Sequence, residues 1–261
     1  MQRNRAPESA GHRRRLSAKW ILGSLVALGI AVFGGALFYV NVLNDDQPES
    51  FALSEPESSG PAAASASPTA SPAAGSPAAV SSAAAATGLN GTWTVAGESQ
   101  VGYRVKEILV GLETEAVGRT SDVTGELTVA GDAVTAAKFT ADMTTVESDK
   151  SQRDGQFRGR IMDTDTHPTA TFVSTAPIAV PPGAVSGEQF TSKATGDLTL
   201  RGNTKAVAFD LKGQKKGTGF EIVAQIPIVF ADFDIPNPSG GPAQVGDEGI
   251  LEVRLNLAPK G

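Results

Sequence analysis

The stretch Leu251-Glu252-Val253-Arg254-Leu255-Asn256-Leu257 alternates apolar and polar residues without a break. A period of two places every second side chain on one face of an extended strand, whereas a helical face recurs every 3.6 residues. The pattern returns at Phe220, Ile222, Ala224, Ile226, Ile228 and Phe230, at Val207, Phe209 and Leu211, and at Val101, Tyr103 and Val105. Weaker alternation runs through 123–129, 134–143, 170–175 and 194–200. These are the marks of half-buried antiparallel strands. Turn residues separate them at Gly97-Glu98, Gly131-Asp132, Gly202-Asn203, Gly217 to Gly219 and Gly246-Asp247. About eight to ten strands are therefore predicted in residues 89–261.

One window has a different rhythm. In 148–162, Ser148 is placed to cap a helix, Phe157 and Ile161 share a face, and Asp154 and Arg158 stand four apart, the spacing of a helix-surface ion pair. Gly155 and Gly159 weaken that helix by about 1 kcal/mol each. An all-β domain with one short helix closes as a barrel or packs as a sandwich, and periodicity does not choose between them.

The N-terminal third reads differently. Residues 1–19 carry Arg3, Arg5, Arg13, Arg14, Arg15 and Lys19 against Glu8 alone. From Trp20 to Asn44 there is no charged side chain, enough chain to cross a hydrocarbon layer of about 30 Å. Trp20 and Tyr39 lie near its two ends, where amphipathic rings favour the headgroup zone. A secretory signal has an apolar core of only about 7–15 residues, so an uncleaved single-pass signal anchor is expected at 20–44. Basic residues before the span and Asp45, Asp46 and Glu49 after it predict a cytoplasmic N-terminus and an external C-terminal domain. Residues 45–88 read as linker: the segment 56–88 within them is nearly all Ala, Ser, Pro, Gly and Thr, with too little large apolar surface to offset ordering. They are expected to form a disordered linker holding the 89–261 domain away from the membrane.

Composition removes several classes of function. The chain has no cysteine, which excludes disulfides, thiolate metal sites and cysteine nucleophiles. Its two histidines are His12, in the basic tail, and His167, so no histidine-rich metal site is expected. The net charge is −6, and the C-terminal domain lacks the clustered Lys and Arg that nucleic-acid binding requires.

The order of short motifs in 90–258 resembles the YceI-like family of exported polyisoprenoid-binding proteins. The opening Trp93-Thr94-Val95, then Glu98-Ser99-Gln100-Val101-Gly102-Tyr103-Arg104-Val105, is similar to that family's first hairpin. Val117-Gly118-Arg119 and Val123-Thr124-Gly125 resemble its strand-and-glycine signatures, and Gln152-Arg153-Asp154-Gly155-Gln156-Phe157-Arg158 its helix. His167-Pro168-Thr169-Ala170-Thr171-Phe172 is similar to its strand entry. Thr195-Gly196-Asp197-Leu198-Thr199-Leu200-Arg201-Gly202, followed by Thr204-Lys205, is the most specific block. Asp232-Phe233-Asp234-Ile235 and Val245-Gly246-Asp247-Glu248 resemble the closing pattern. Two departures stand out: Glu107 replaces a histidine common in the family, and residues 236–242 form an added Pro/Gly-rich loop.

The resemblance implies a lipocalin-like antiparallel barrel of about eight strands, with a polyisoprenoid or quinone lipid as its ligand and no catalytic cofactor. Such a barrel needs an apolar interior, for which the inward-facing candidates are Tyr103, Val105, Phe139, Phe209, Ala224 and Ile226. Candidate head-group residues are Arg119, Arg153, Asp154 and Arg158, which the family pattern marks, since a guanidinium suits a phosphate or quinone oxygen. The expected partners are an apolar lipid and, through Trp20 to Leu43, the membrane. The same inward faces would also serve a filled core, in which case the domain is a surface adhesion or structural module. A hydrolase is the third reading, and the chain has neither a GxSxG nor an HExxH motif to support it.

Overall fold

The computed structural model describes residues 47–55, 88–109, 111–241 and 243–261. Strands β1 (Gly91–Val95), β2 (Gln100–Leu109), β3 (Leu112–Thr120), β4 (Val123–Ala130), β5 (Ala133–Asp142) and β6 (Glu147–Ser148) precede helix α1 (Ser151–Gln156). Then come β7 (Thr169–Ser174), β8 (Ile178–Ala179), β9 (Phe190–Leu200), β10 (Asn203–Lys216), β11 (Gly219–Val229), β12 (Ala243–Val245) and β13 (Glu248–Pro259). Eight of them form a ring in the order β1-β4-β5-β7-β9-β10-β11-β13, which closes by pairing β13 back to β1. All the pairings are antiparallel, so the choice left open by periodicity falls to the barrel. Closure leaves no unpaired ring edge.

Strand β13 holds two partners along one edge. Val95 pairs with Leu257 near its end, while Gln100 to Arg104 pair with Arg254 to Ile250. The turn at Glu98, whose φ is 62°, breaks what would otherwise be one long strand into β1 and β2. The β2–β3 hairpin thereby continues past the ring and carries β6 on its far edge.

Buried apolar residues form two clusters inside the barrel. One contains Trp93, Val129, Ile178, Phe220 and Leu257, and the other contains Phe157, Met162, Ile228, Phe230 and Phe233.

The helical window departs from its expected form. It begins as α1 after Lys150, without a side-chain cap, and widens into a π-helical turn over Phe157–Ile161. The Met162 N–H reaches the carbonyl of Phe157, five residues back, at 2.8 Å. Ser148 belongs to β6 and caps nothing; its hydroxyl donates to Asp154 Oδ1 at 2.6 Å, and its N–H donates to the same oxygen at 2.9 Å. Asp154 is therefore committed to tying β6 to α1, and no Asp154–Arg158 pair forms. Arg158 donates to the Val146 carbonyl at 3.3 Å instead.

Residues 47–55, expected as the first part of a free linker, lie on the outer wall of the barrel, where Phe51 is 4% exposed. Among the described residues no helix is long and apolar enough to cross a membrane. The expected basic tail, span 20–44 and remaining linker 56–87 lie outside the described residues.

Candidate functional site: an apolar chamber inside the barrel

The inward faces of β5, β9, β10, β11 and β13 enclose a cavity of about 160 Å³. Its volume follows from the mixture of side chains on the wall. Phe139, Phe172, Phe190, Phe209 and Phe220 supply large flat surfaces, while Ala137, Ala141, Ala170, Ala194 and Ala224 leave room between them. Ala224 is flanked in register by Leu211 on β10 and Val253 on β13, so a short side chain stands between two larger ones.

Two polar groups on the wall are already engaged. The Ser192 hydroxyl donates to the Ala179 carbonyl at 2.7 Å, and the Trp93 indole N–H donates to the Leu89 carbonyl at 2.9 Å. A chamber of this size with an apolar lining stays dry and takes up apolar molecules; cavities of about 150 Å³ lined by aliphatic and aromatic groups bind benzene or xenon.

Glycine makes some of the aromatic positions possible. Gly125 has φ 149°, and a Cβ there would come within 2.6 Å of the Phe139 ring, its register partner. A Cβ on Gly118 would fall 2.4 Å from the ring of Tyr103, again its register partner. The two strand-and-glycine signatures in the sequence are thus seats for aromatic rings across the strand.

Of the six expected cavity residues, Phe139, Phe209, Ala224 and Ile226 line the chamber. Tyr103 and Val105 face inward but pack in the neighbouring cluster. The Tyr103 ring stacks on Phe157, with centroids 5.1 Å apart and planes 16° from parallel. Burial pushes its phenol up to about 12, outweighing the opposing influence of Arg153.

None of the four charged candidates lines the chamber, and no two of them bond to each other. Arg153 pairs with Asp149 and, at 3.3 Å, with Glu107, the residue that replaces the family's common histidine. Asp154 and Arg158 are held as described above. Arg119 points outward, 3.1 Å from Glu252 Oε2.

That outer wall carries functional-looking groups the alternation pattern hides. Glu252 and Glu221 sit at polar positions of their strands yet are 0% and 1% exposed. Arg104 donates to Glu252 at 2.9 Å and to Glu115 at 2.6 Å. The sequence signal was Phe51 with Leu53, the two large apolar residues in a run otherwise built from small and polar ones.

Fold and chamber define an antiparallel eight-stranded barrel with an apolar interior. The chain belongs to the YceI-like family, whose domain model matches residues 93–257. Among solved structures, BcnA of Burkholderia cenocepacia is 22% identical with a TM-score of 0.50, covering 62% of this chain and 98% of its own. A polyisoprenoid-binding domain of Saccharophagus degradans is 17% identical with a TM-score of 0.52, covering 64% of this chain and 98% of its own. At these identities the likeness is one of fold. No curated protein matches the chain.

Proposed function

We propose that this protein is a membrane-anchored, extracytoplasmic carrier that holds an isoprenoid or similar long apolar chain in its barrel for storage, transfer or protection. The observation that carries the reading is the chamber itself, with its aromatic and alanine wall and its engaged polar groups. Membership of the YceI-like family and likeness in fold to a domain described as polyisoprenoid-binding support it. Each CH₂ taken from water contributes about 0.8 kcal/mol, so an isoprene unit of five carbons contributes about 3–4 kcal/mol before the cost of ordering it. Affinity then grows with the length of chain admitted, and Phe139, Phe209, Ala224 and Ile226 are the residues that touch it. Anchoring rests on the uncharged run 20–44 and the six basic residues before it.

Native mass spectrometry of the protein purified from its own host tests the proposal. The expected result is an added mass that organic extraction removes and that corresponds to an isoprenoid or quinone lipid. A chain that carries no lipid, and takes up none from polyprenol-loaded vesicles, overturns it.

A further inference from the structure

Residues 47–55 cross the outer wall of β2, β3, β10, β11 and β13, and the wall is built to receive them. Two guanidinium groups lie over the Phe51 ring, that of Arg119 4.0 Å and that of Arg254 4.5 Å from its centroid. Arg104 Nη2 donates to the Pro48 carbonyl at 2.7 Å, and Arg119 Nη2 donates to the Glu49 carbonyl. At the other end the Ser54 N–H and hydroxyl each donate to one oxygen of Glu221, both at 2.9 Å. Gln214 Nε2 donates to the Ser54 carbonyl at 2.7 Å, and to Glu221 at 2.9 Å.

Two features separate this from incidental packing. The barrel groups read the segment's backbone as well as its side chains: three carbonyls and one N–H are engaged by Arg104, Arg119, Gln214 and Glu221. Connectivity also does not force the arrangement, because residues 56–87 separate the segment from β1. Two arginines over an aromatic face gain a cation–π attraction that strengthens as the ring is desolvated. Glu221 and Glu252 are buried carboxylates on a solvent-side face, and a buried carboxylate persists only where its hydrogen bonds are met.

We propose that this outer face is a recognition site for an extended peptide bearing phenylalanine and, three residues on, serine, which the chain fills with its own Phe51 to Ser54. The site differs from the lipid chamber in location and chemistry. Arg104, Arg119, Arg254, Gln214, Glu221 and Glu252 form it, and none of them lines the cavity.

The test uses the full-length chain in detergent solution and two readouts. Hydrogen exchange at the Ser54 amide is slow in the wild type and accelerates by at least about tenfold in both Phe51→Ala and Arg254→Ala, while exchange in β11 and β13 is unchanged. A fluorescent peptide of sequence Pro-Glu-Ser-Phe-Ala-Leu-Ser-Glu binds the Phe51→Ala chain, and the same peptide with alanine for phenylalanine does not. A tethered segment competes at an effective concentration on the order of millimolar, so the wild-type chain takes up the free peptide at least about tenfold more weakly. Free-peptide exchange rates at Ser54 in the wild type, or equal binding of both peptides, overturn the proposal.

Discussion

The indole of Trp93 meets the ring of Phe220 edge to face, with centroids 5.2 Å apart and planes at 79°. Both rings line the chamber, one from β1 and one from β11, so an occupant touches Trp93 directly. Titration with a polyprenyl alcohol is expected to shift and enhance the Trp93 emission, and Trp93→Phe is expected to abolish the change while Trp20 supplies a constant background. An unchanged Trp93 spectrum at saturating lipid places the ligand elsewhere.

Ala224→Phe tests whether the interior space matters for binding. In a filled core the added ring costs about 1–3 kcal/mol or more. In the chamber it has room, so the melting temperature is expected to change by only a few degrees while lipid uptake is lost. Gln225→Phe, on the exposed face of the same strand, is expected to leave uptake intact.

Tyr103 sets an alkaline limit. Its phenol is raised to about 12 by burial against Phe157, above the usual value of about 10 in the unfolded chain. Folding therefore favours the neutral form, and its contribution is complete below about pH 10 and lost as pH rises toward 12. Phenolate absorbance is expected to show Tyr103 ionising only near pH 12, coincident with unfolding. In Tyr103→Phe this alkaline loss of stability is expected to shrink.

Glu221 acts at the opposite end of the scale. Burial alone would raise its carboxyl, but the hydrogen bonds from Ser54 and Gln214 outweigh it and hold the group below its ordinary value. A lowered carboxylate contributes stability that is present above the unfolded value of about 4.3 and is lost as pH falls through the folded one. The 47–55 segment is accordingly expected to stay docked at neutral pH and to release in strong acid. Amide exchange at Ser54, followed from pH 6 downward in wild type and Glu221→Ala, checks it: the two are expected to converge at the acid end.

Protease added to intact spheroplasts tests the orientation proposed from the N-terminal charge pattern. Removal of the C-terminal domain, with a cytoplasmic marker left whole, is the expected outcome.

Strands β2, β4, β5, β7, β9, β10, β11 and β13 were legible through one rule, alternation, which holds wherever one face meets an apolar interior, whereas β3 and the short β6, β8 and β12 fall outside the runs it marks. That rule places Phe209, Ala224 and Ile226 inward, and all three line the chamber. Tyr103 obeys the same rule but falls in the second cluster, because inwardness says nothing about position along the barrel axis. The charged candidates rest on residue type within a motif, and type does not reveal a partner. Asp154 looked ready for Arg158 at helical spacing, but Ser148, six residues upstream, holds it. The outer wall was the least legible part, since Glu252 and Arg254 match solvent-facing residues in every local respect. Only a segment far away in sequence makes them a site.

Strand β13 carries Val253 against the chamber and, one residue away, Glu252 against the two arginines that hold the 47–55 segment. A one-residue slip of a strand exchanges its two faces completely. On β13 a slip would turn the Glu252 carboxylate into the apolar interior, away from Arg104 and Arg119, and leave Val253 facing those two arginines. Most half-buried strands pay for misregistration once, on the core side, because water tolerates either residue outside. Here both sides reject the error, so the docked segment also acts as a proofreader for the strand that closes the ring.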